Sequence, residues 1–174
     1  MKNNIEIDFD LKDQRWAECL PDYQGVSRQV VSIVLSEVGF SDLFDQIEVS
    51  VILTNDAEVQ ELNNSHRGYD KPTNVLSFPA HDISPKNFAE IKNTSSDFVM
   101  LGDIVFGYET VLMEARAQGK EVAKHYAHLL VHSILHLLGY IHENDAEALE
   151  MEALEVRLLS KMSIESPYEL KETA

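Results

Sequence analysis

Three histidines lie close together in the segment HSILHLLGYIH, at residues 132–142. In an α-helix, residues four positions apart lie on one face, a single turn from each other, so a helix here would direct His132 and His136 at the same point. Gly139 can adopt the left-handed conformation that ends helices, so the chain can turn back and bring His142 to that point. Three neutral imidazoles with an open fourth position are typical of a catalytic zinc site. The spacing predicts that these histidines bind one Zn²⁺, or another divalent metal, per chain.

The segment that ends at Gly139 is predicted to be a largely buried helix with one histidine stripe. At about 100° per residue, four histidines fall within an arc of about 80°: His125, His128, His132 and His136. A single buried histidine is more often a core residue than a metal ligand, which favours a structural role for His125 and His128. Burying four imidazoles has a desolvation cost at each, so a shared metal is the simpler explanation for at least two. We expect His128 to orient one of the ligands.

The same histidine spacing occurs in metzincin metallopeptidases, in which a glutamate follows the first histidine and acts as the general base. Here that position is Ser133. A serine does not accept a proton from a metal-activated water at neutral pH as a carboxylate does, so the sequence disfavours a peptidase. A peptidase would need another acid, such as Glu143, in that role.

Length and composition limit the class of protein. The chain has 174 residues, of which 44% are hydrophobic, enough for a single domain over residues 1–174 with its own core. The N-terminal segment has no apolar signal region and no stretch is apolar enough to cross a bilayer, so we expect a cytoplasmic protein. Cys19 is the only cysteine. Any metal must therefore rest on nitrogen and oxygen ligands.

The net charge of −16 argues against a general nucleic-acid-binding protein, because such proteins usually have a basic face. Acidic residues are concentrated after Glu143, whereas residues 66–92 are nearly balanced in charge. An anionic substrate can still bind in that central part of the chain, helped by a divalent cation.

The pattern of apolar residues predicts an α/β (α+β) fold: a mixed sheet of about four strands packed with helices, with the histidine helix at its centre. Strands are predicted at IEIDF near the N-terminus, at IEVSVILT (47–54), at NVLSFPA and at VMLGDIVFGY. The segment HDISPKNFAEIKNTSSD is predicted to be a long loop.

Three further helices are predicted. One covers VSRQVVSIVLSEVGF. A second begins at Asn55, forms a capping box with Glu58 and runs to about His66. A third covers ENDAEALEMEALEVRLLSKM, is capped by Asn144 with Glu147, and packs its leucines on the core with no part in the chemistry.

Arg67 lies between the second of these helices and the turn-forming segment GYDKPTN. Its planar guanidinium suits a phosphate group, and Pro72 would restrain the loop that directs it. The alternative is that Arg67 and Lys71 form surface ion pairs with Asp70 or nearby acids. For Asp103, in LGDI, a buried structural hydrogen bond and a position near the metal are both open.

Three segments of the chain resemble the YbeY family of metal-dependent endoribonucleases that mature ribosomal RNA. They are LNNSHRGYDKPTNVLSFP (62–79), LGDIVF (101–106) and HLLVHSILHLLGYIHENDAEALEMEALE (128–155). The resemblance implies a single α/β domain, RNA as substrate, and a zinc ion bound by the histidines of the family motif H-G-x-L-H-L-x-G-Y-D-H, here His132, His136 and His142. It also implies that Arg67 is the arginine of the motif R-x-x-D-K-P-T-(D/N)-V-L-S-F-P.

Two positions depart from the family's histidine motif. Ser133 stands where the family has glycine, which is a small change on a helix. Ile141 replaces the aspartate before the last histidine and so removes a carboxylate that could contact the metal or its ligands.

Together these features predict a zinc-dependent, single-strand-specific endoribonuclease that acts on ribosomal RNA precursors in rRNA processing and ribosome quality control. The metal would polarise a phosphate oxygen or activate water, and Arg67 would stabilise charge on the phosphate. No residue is identified as the general base. Ribosomal or assembly proteins would be partners, but neither DNA nor a membrane. The alternatives are a zinc hydrolase of another substrate, such as peptides, and a ribosome assembly factor with a structural zinc closed by a fourth protein ligand.

Overall fold

Four strands form one mixed sheet: β1 (Asn4–Leu11), β2 (Gln46–Thr54), β3 (Val75–Pro79) and β4 (Phe98–Gly107). The structure is a computed structural model that describes residues 4–88, 90, 91 and 97–168. The strand order is β1-β2-β4-β3. β1, β2 and β4 are parallel, whereas β3 is antiparallel to β4. The predicted mixed sheet of about four strands is confirmed.

Six α-helices surround the sheet in the part of the chain that the structure describes. They are α1 (Arg15–Cys19), α2 (Tyr23–Glu37), α3 (Asp56–Arg67), α4 (Tyr108–Ala117), α5 (Val122–Leu137) and α6 (Asp145–Ser160). The histidine helix is α5, and it packs against α2, α4, α6 and strands β3 and β4. Its predicted central position is confirmed. No helix among the described residues is both long enough and apolar enough to cross a membrane.

The sheet and the helices share one core because their apolar residues follow the period of each element. In β2, alternate residues are buried: Ile47, Val49, Val51 and Leu53. In α5, the apolar residues that fill most of its surface are buried, from Leu129 to Leu137. Burying one such side chain contributes about 1.5–3 kcal/mol, so the core fixes the position and rotation of α5. The orientation of the helix face that carries His132 and His136 is fixed with it.

The predicted helix starts and ends differ from the structure in detail. Asn55 accepts a hydrogen bond from the backbone N–H of Glu58 at 2.9 Å, but the Glu58 carboxylate bonds to Lys12 at 3.0 Å, so the capping box is only half formed. Helix α3 ends at Arg67, one residue later than predicted. At the start of α6, Asn144 accepts from the backbone N–H of Glu147 at 2.9 Å, as predicted.

The segment predicted to be a long loop, residues 81–97, is partly regular. Pro85–Asn87 form a turn of 3-10 helix, capped by the Ser84 side chain. Local hydrogen bonds from serine and asparagine side chains make this turn favourable despite the absence of an apolar period. Residues 89 and 92–96 of the predicted loop lie outside the described residues.

Candidate metal centre

Three imidazole rings meet at the C-terminal end of α5. One ring nitrogen from each of His132, His136 and His142 lies within 4.8 Å of the other two. The Nε2 atoms of His132 and His136 are 2.9 Å apart. The ligands of a tetrahedral zinc ion with Zn–N bonds of about 2.0–2.1 Å lie roughly 3.3 Å apart. The structure therefore brings together the three predicted ligands, with a spacing that a metal ion would need to widen only slightly.

The turn after α5 brings His142 back to the cluster. The backbone N–H groups of Gly139 and Tyr140 donate to the carbonyls of His136 and Leu135, at 3.0 Å each, which closes the helix end. Gly139 has φ +90°, and a Cβ atom there would overlap the backbone carbonyl of Ile83. The predicted left-handed turn is confirmed, and the close approach of a second segment gives glycine an additional advantage.

The environment of His136 suits a metal ligand. Burial lowers its pKa, and the neighbouring His132 and His142 lower it further, to about 4. The ring is therefore neutral at pH 7 and does not need to lose a proton before it binds a cation.

Glu155, on α6, is the acidic residue that contacts the cluster. Its carboxylate is 1% exposed and accepts hydrogen bonds from His132 Nδ1 at 2.9 Å, His128 Nε2 at 3.1 Å and the Tyr168 hydroxyl at 2.7 Å. Burial by itself raises the pKa of Glu155, but the hydrogen bonds from His128, His132 and Tyr168 outweigh it and lower the pKa to about 2. An ionised carboxylate can only accept hydrogen bonds, so Nδ1 of His132 is the donor in this contact.

The last helix was predicted to have no part in the chemistry, but the structure shows that its Glu155 contacts a predicted metal ligand. The sequence contained a sign of this, because Glu155 lies one turn from Met151 and one turn from Leu159, on the apolar face of α6, and both of these neighbours are buried. An acid on the apolar face of a helix is rarely buried without a partner.

The two remaining histidines of the stripe do not join the cluster. His128 reaches His132 only through the shared carboxylate of Glu155. His125 is 3% exposed and bonds to Glu114 at 2.9 Å, so it has the predicted structural role, with a carboxylate as its partner.

The cluster opens into a cavity of about 610 Å³ that also contains Arg67. The other lining residues come from the end of the Arg67 loop, from β3, from α5 and from the C-terminal segment: Asn74, Val75, Ser77, Pro79, His128, Leu129 and Tyr168. Arg67 is exposed, and among the described residues its guanidinium has no hydrogen-bond or ion-pair partner. The predicted arginine and the three histidines thus share one cavity.

The alternative of surface ion pairs around Arg67 is not observed within the part of the chain that the structure describes. The Asp70 carboxylate accepts from the amide of Gln60 at 3.0 Å. The Lys71 ammonium lies 5.8 Å from the centre of the Tyr69 ring.

The loop that carries Arg67 is held at both ends by asparagines. The amide of Asn63, which is 4% exposed, donates to the carbonyl of Lys71 at 2.9 Å. The Asn74 side chain accepts from the N–H of Val75 at 2.7 Å and donates to Glu114 at 3.0 Å. These bonds fix the backbone and leave the arginine side chain free.

Three other sequence positions have definite places. Asp103 is exposed on β4 and is not among the residues that line the cavity, so the suggested buried role is wrong. Ser133 is fully buried inside α5. Ile141 is 46% exposed and lines a separate small cavity beside Gly139 and Tyr140.

The fold and the site together define an α/β protein with a cluster of three histidines that could hold a metal ion and that shares a cavity with an arginine. The family model described as Endoribonuclease YbeY matches residues 10–163 of the chain. The chain belongs to the YbeY endoribonuclease family.

Individual relatives agree with the family model. Proteins named Endoribonuclease YbeY from Paramagnetospirillum magneticum and Sphingopyxis alaskensis are each 42% identical to this chain. The first match covers 97% of this chain and 98% of the relative, and the second covers 88% and 91%. The protein of that name from Azorhizobium caulinodans is 40% identical, over 95% of this chain and 98% of its own. The solution structure of TM1509 from Thermotoga maritima has a TM-score of 0.56 and 27% identity, and the match covers 90% of this chain and 88% of that one.

Proposed function

We propose that this chain is a zinc-dependent endoribonuclease that cleaves single-stranded or locally open RNA. We further propose that its substrates are ribosomal RNA precursors, and that it acts in the cytoplasm in rRNA maturation and ribosome quality control. The observation that supports the proposal most is that one cavity contains both the three-histidine cluster and an arginine without a partner among the described residues. Relatives that match nearly the whole chain are named endoribonucleases.

The residues around the cavity fit a divalent metal ion. The cluster offers three imidazoles, His136 is neutral at pH 7, and Glu155 leaves Nε2 of His132 free to bind. A bound zinc ion would supply Lewis-acid activation of a phosphate oxygen or of water.

Arg67 would bind the phosphate group on the opposite side of the cavity. Its planar guanidinium can donate two parallel hydrogen bonds to two phosphate oxygens. Since the guanidinium has no partner to give up within the described residues, binding a phosphate would not break an existing ion pair. The chain has a net charge of −16, so local positive charge at the cavity would be needed for the anionic RNA backbone to bind there.

The geometry favours a catalytic site over a structural one. Within the described residues the cluster has three members, all histidines, and His142 is exposed to the cavity. A structural zinc site is typically closed by a fourth protein ligand, whereas a catalytic site keeps a position open for water or substrate.

The geometry also disfavours a peptidase of the metzincin kind. Ser133 stands where the base would be, and it is fully buried. Glu143 is exposed and is not among the residues that line the cavity.

The proposal is tested with two substrates offered side by side. Zinc-loaded protein is incubated with a ribosomal RNA fragment that has single-stranded ends and with unfolded casein, with and without a chelator. We expect cleavage of the RNA only, loss of cleavage with chelator, and its return when zinc is added back. The same RNA annealed to a complementary strand should resist cleavage. Cleavage of casein alone would support a peptidase, and cleavage of neither would support an assembly factor with a structural metal.

A further inference from the structure

We propose that Glu155 is a positioning residue of the metal centre: it holds His132 in the tautomer that binds metal, and Tyr168 holds Glu155 in place. This inference rests on the proposed metal site, but it does not depend on RNA being the substrate.

The hydrogen bonds around the Glu155 carboxylate fit an assignment in which the carboxylate accepts each of them. One oxygen accepts from His132 Nδ1 at 2.9 Å, and the other accepts from His128 Nε2 at 3.1 Å and from the Tyr168 hydroxyl at 2.7 Å. A carboxylate at 1% exposure would be very unfavourable without such donors. Two donors from helix α5 and one from the C-terminal segment meet one buried acid, so both of its oxygens are held.

The hydrogen bond to Glu155 determines both the tautomer and the orientation of the His132 ring. A neutral imidazole has one N–H, and with Nδ1–H bound to Glu155 the Nε2 lone pair faces Nε2 of His136 at 2.9 Å. In the other tautomer a proton on Nε2 would occupy the position that the metal needs. A carboxylate on the far nitrogen also makes an imidazole a stronger ligand and stops the ring from rotating.

Tyr168 connects the C-terminal segment to this network. It follows α6 in the chain, yet its ring lies edge-on to His128, with centroids 5.8 Å apart, and it forms part of the wall of the metal cavity. Its hydroxyl bonds to the carboxylate oxygen that does not contact His132. Tyr168 therefore limits the rotation of the Glu155 carboxylate without contacting the proposed metal ligands.

The first experiment measures zinc affinity by competition with a chromophoric chelator, and it requires no RNA. Glu155→Gln should bind zinc about 10–100-fold more weakly than the wild type. Glu150→Gln is the matched control, since it removes the same charge from an exposed position on the same helix, and it should bind zinc as the wild type does. Equal zinc affinity in Glu155→Gln and wild type would overturn the inference.

The second experiment reads the tautomer directly in the wild-type chain, so it does not depend on the folding of a variant. Long-range ¹H–¹⁵N spectra of metal-free protein labelled with ¹⁵N-histidine should show His132 protonated at Nδ1. A His132 protonated at Nε2 would overturn the inference. A wild type that binds no zinc would count against the metal site itself, and the spectra would still decide the role of Glu155.

A third measurement tests the part assigned to Tyr168. Tyr168→Phe keeps the ring and removes the hydroxyl, so zinc binding should weaken, but by less than about tenfold, because the two imidazole donors to Glu155 remain. Tyr23→Phe, which removes a phenol from α2, is the control and should leave zinc affinity unchanged. Wild-type zinc affinity in Tyr168→Phe would remove Tyr168 from the proposal.

Discussion

The wall of the cavity formed by α5, together with the helix α6 that packs against α5, differs from the wall formed by the end of α3 and by β3 in the environment of its charged groups. On the first wall, the charged Glu155 is buried and bonded to three donors. On the second wall, Arg67 is exposed and lacks a partner among the described residues, while the backbone around it is fixed by Asn63 and Asn74.

This difference follows from what each wall would bind under the proposed function. A metal ion requires ligand atoms within a few tenths of an ångström of their final places. Its wall therefore benefits when the ligands are held in position before the metal binds. A phosphate brings its own charge into the cavity, so the second wall needs a fixed backbone and a free guanidinium. We therefore expect variants of the first wall to change metal binding, and variants of the second to change activity without changing metal binding.

The largest effect should come from removing a ligand on the first wall. His136→Ala should weaken zinc binding by more than about 100-fold, beyond the 10–100-fold typical of residues that only support a ligand, and should abolish chelator-sensitive activity. Elemental analysis of protein purified without chelator measures the first result. The control is His81→Ala, which removes an exposed histidine outside the cluster and should retain the metal. Full retention of zinc by His136→Ala would show that the cluster is not the metal site.

On the second wall, Arg67→Ala should separate activity from metal binding. Losing an electrostatic contact to charge that develops in the transition state typically lowers the rate by about 100-fold or more, while zinc content and melting temperature should remain at wild-type values. If Arg67 had only a surface role, its loss would change stability by less than about 1 kcal/mol and leave the rate alone. Lys71→Ala is the control, because Lys71 is close by but does not line the cavity. Undiminished RNA cleavage in Arg67→Ala would reject the role assigned to it.

The sequence predicted all three histidines of the cluster on the first wall and little of what supports them. Histidine spacing and one glycine were enough to predict that His132, His136 and His142 meet, because helix geometry and a left-handed turn are local properties. The contact between His132 and Glu155 joins residues on two helices, and no local period reports which acid on α6 turns inward towards which histidine.

On the second wall, too, the sequence predicted the local structure but not the tertiary contact. The end of α3 near Arg67 was predicted to within one residue from caps and composition. That Arg67 shares a cavity with the histidines depends on β3 packing against α5, a tertiary contact that no local pattern in the sequence reports. The suggested buried role of Asp103 failed for a related reason, since a strand pattern does not say which face of the strand is covered.

A smaller effect is expected at the turn that joins the histidines of the first wall. In Gly139→Ala, the left-handed backbone costs about 1–2 kcal/mol, and the new Cβ would also overlap the Ile83 carbonyl, so we expect zinc affinity to fall by about tenfold as His142 is displaced. Gly39→Ala is a close control, because Gly39 has φ +78° but open space around the Cβ position. Gly39→Ala should be destabilised by a similar backbone cost, measured by thermal unfolding, and should keep its zinc affinity. Equal zinc affinities in the two variants would show that the turn at Gly139 does not position His142.

The smallest effect should come from Ile141→Asp, which restores the acid of the family motif beside His142. Ile141 is 46% exposed and lines a cavity separate from the one that holds the histidines. A carboxylate in that position would be solvated, and an exposed charge pair is worth no more than about 1 kcal/mol, or about fivefold in zinc affinity. Chelator competition at low and at high salt would measure the change, and high salt should reduce it further because surface charges are screened. A gain above about tenfold that persists at high salt would mean that the residue-141 side chain reaches the metal or one of its ligands directly. In that case the turn at residues 139–142 would help to hold the histidines on the first wall. The family's aspartate, which this chain has replaced with Ile141, would then be one of the groups that keep that wall rigid.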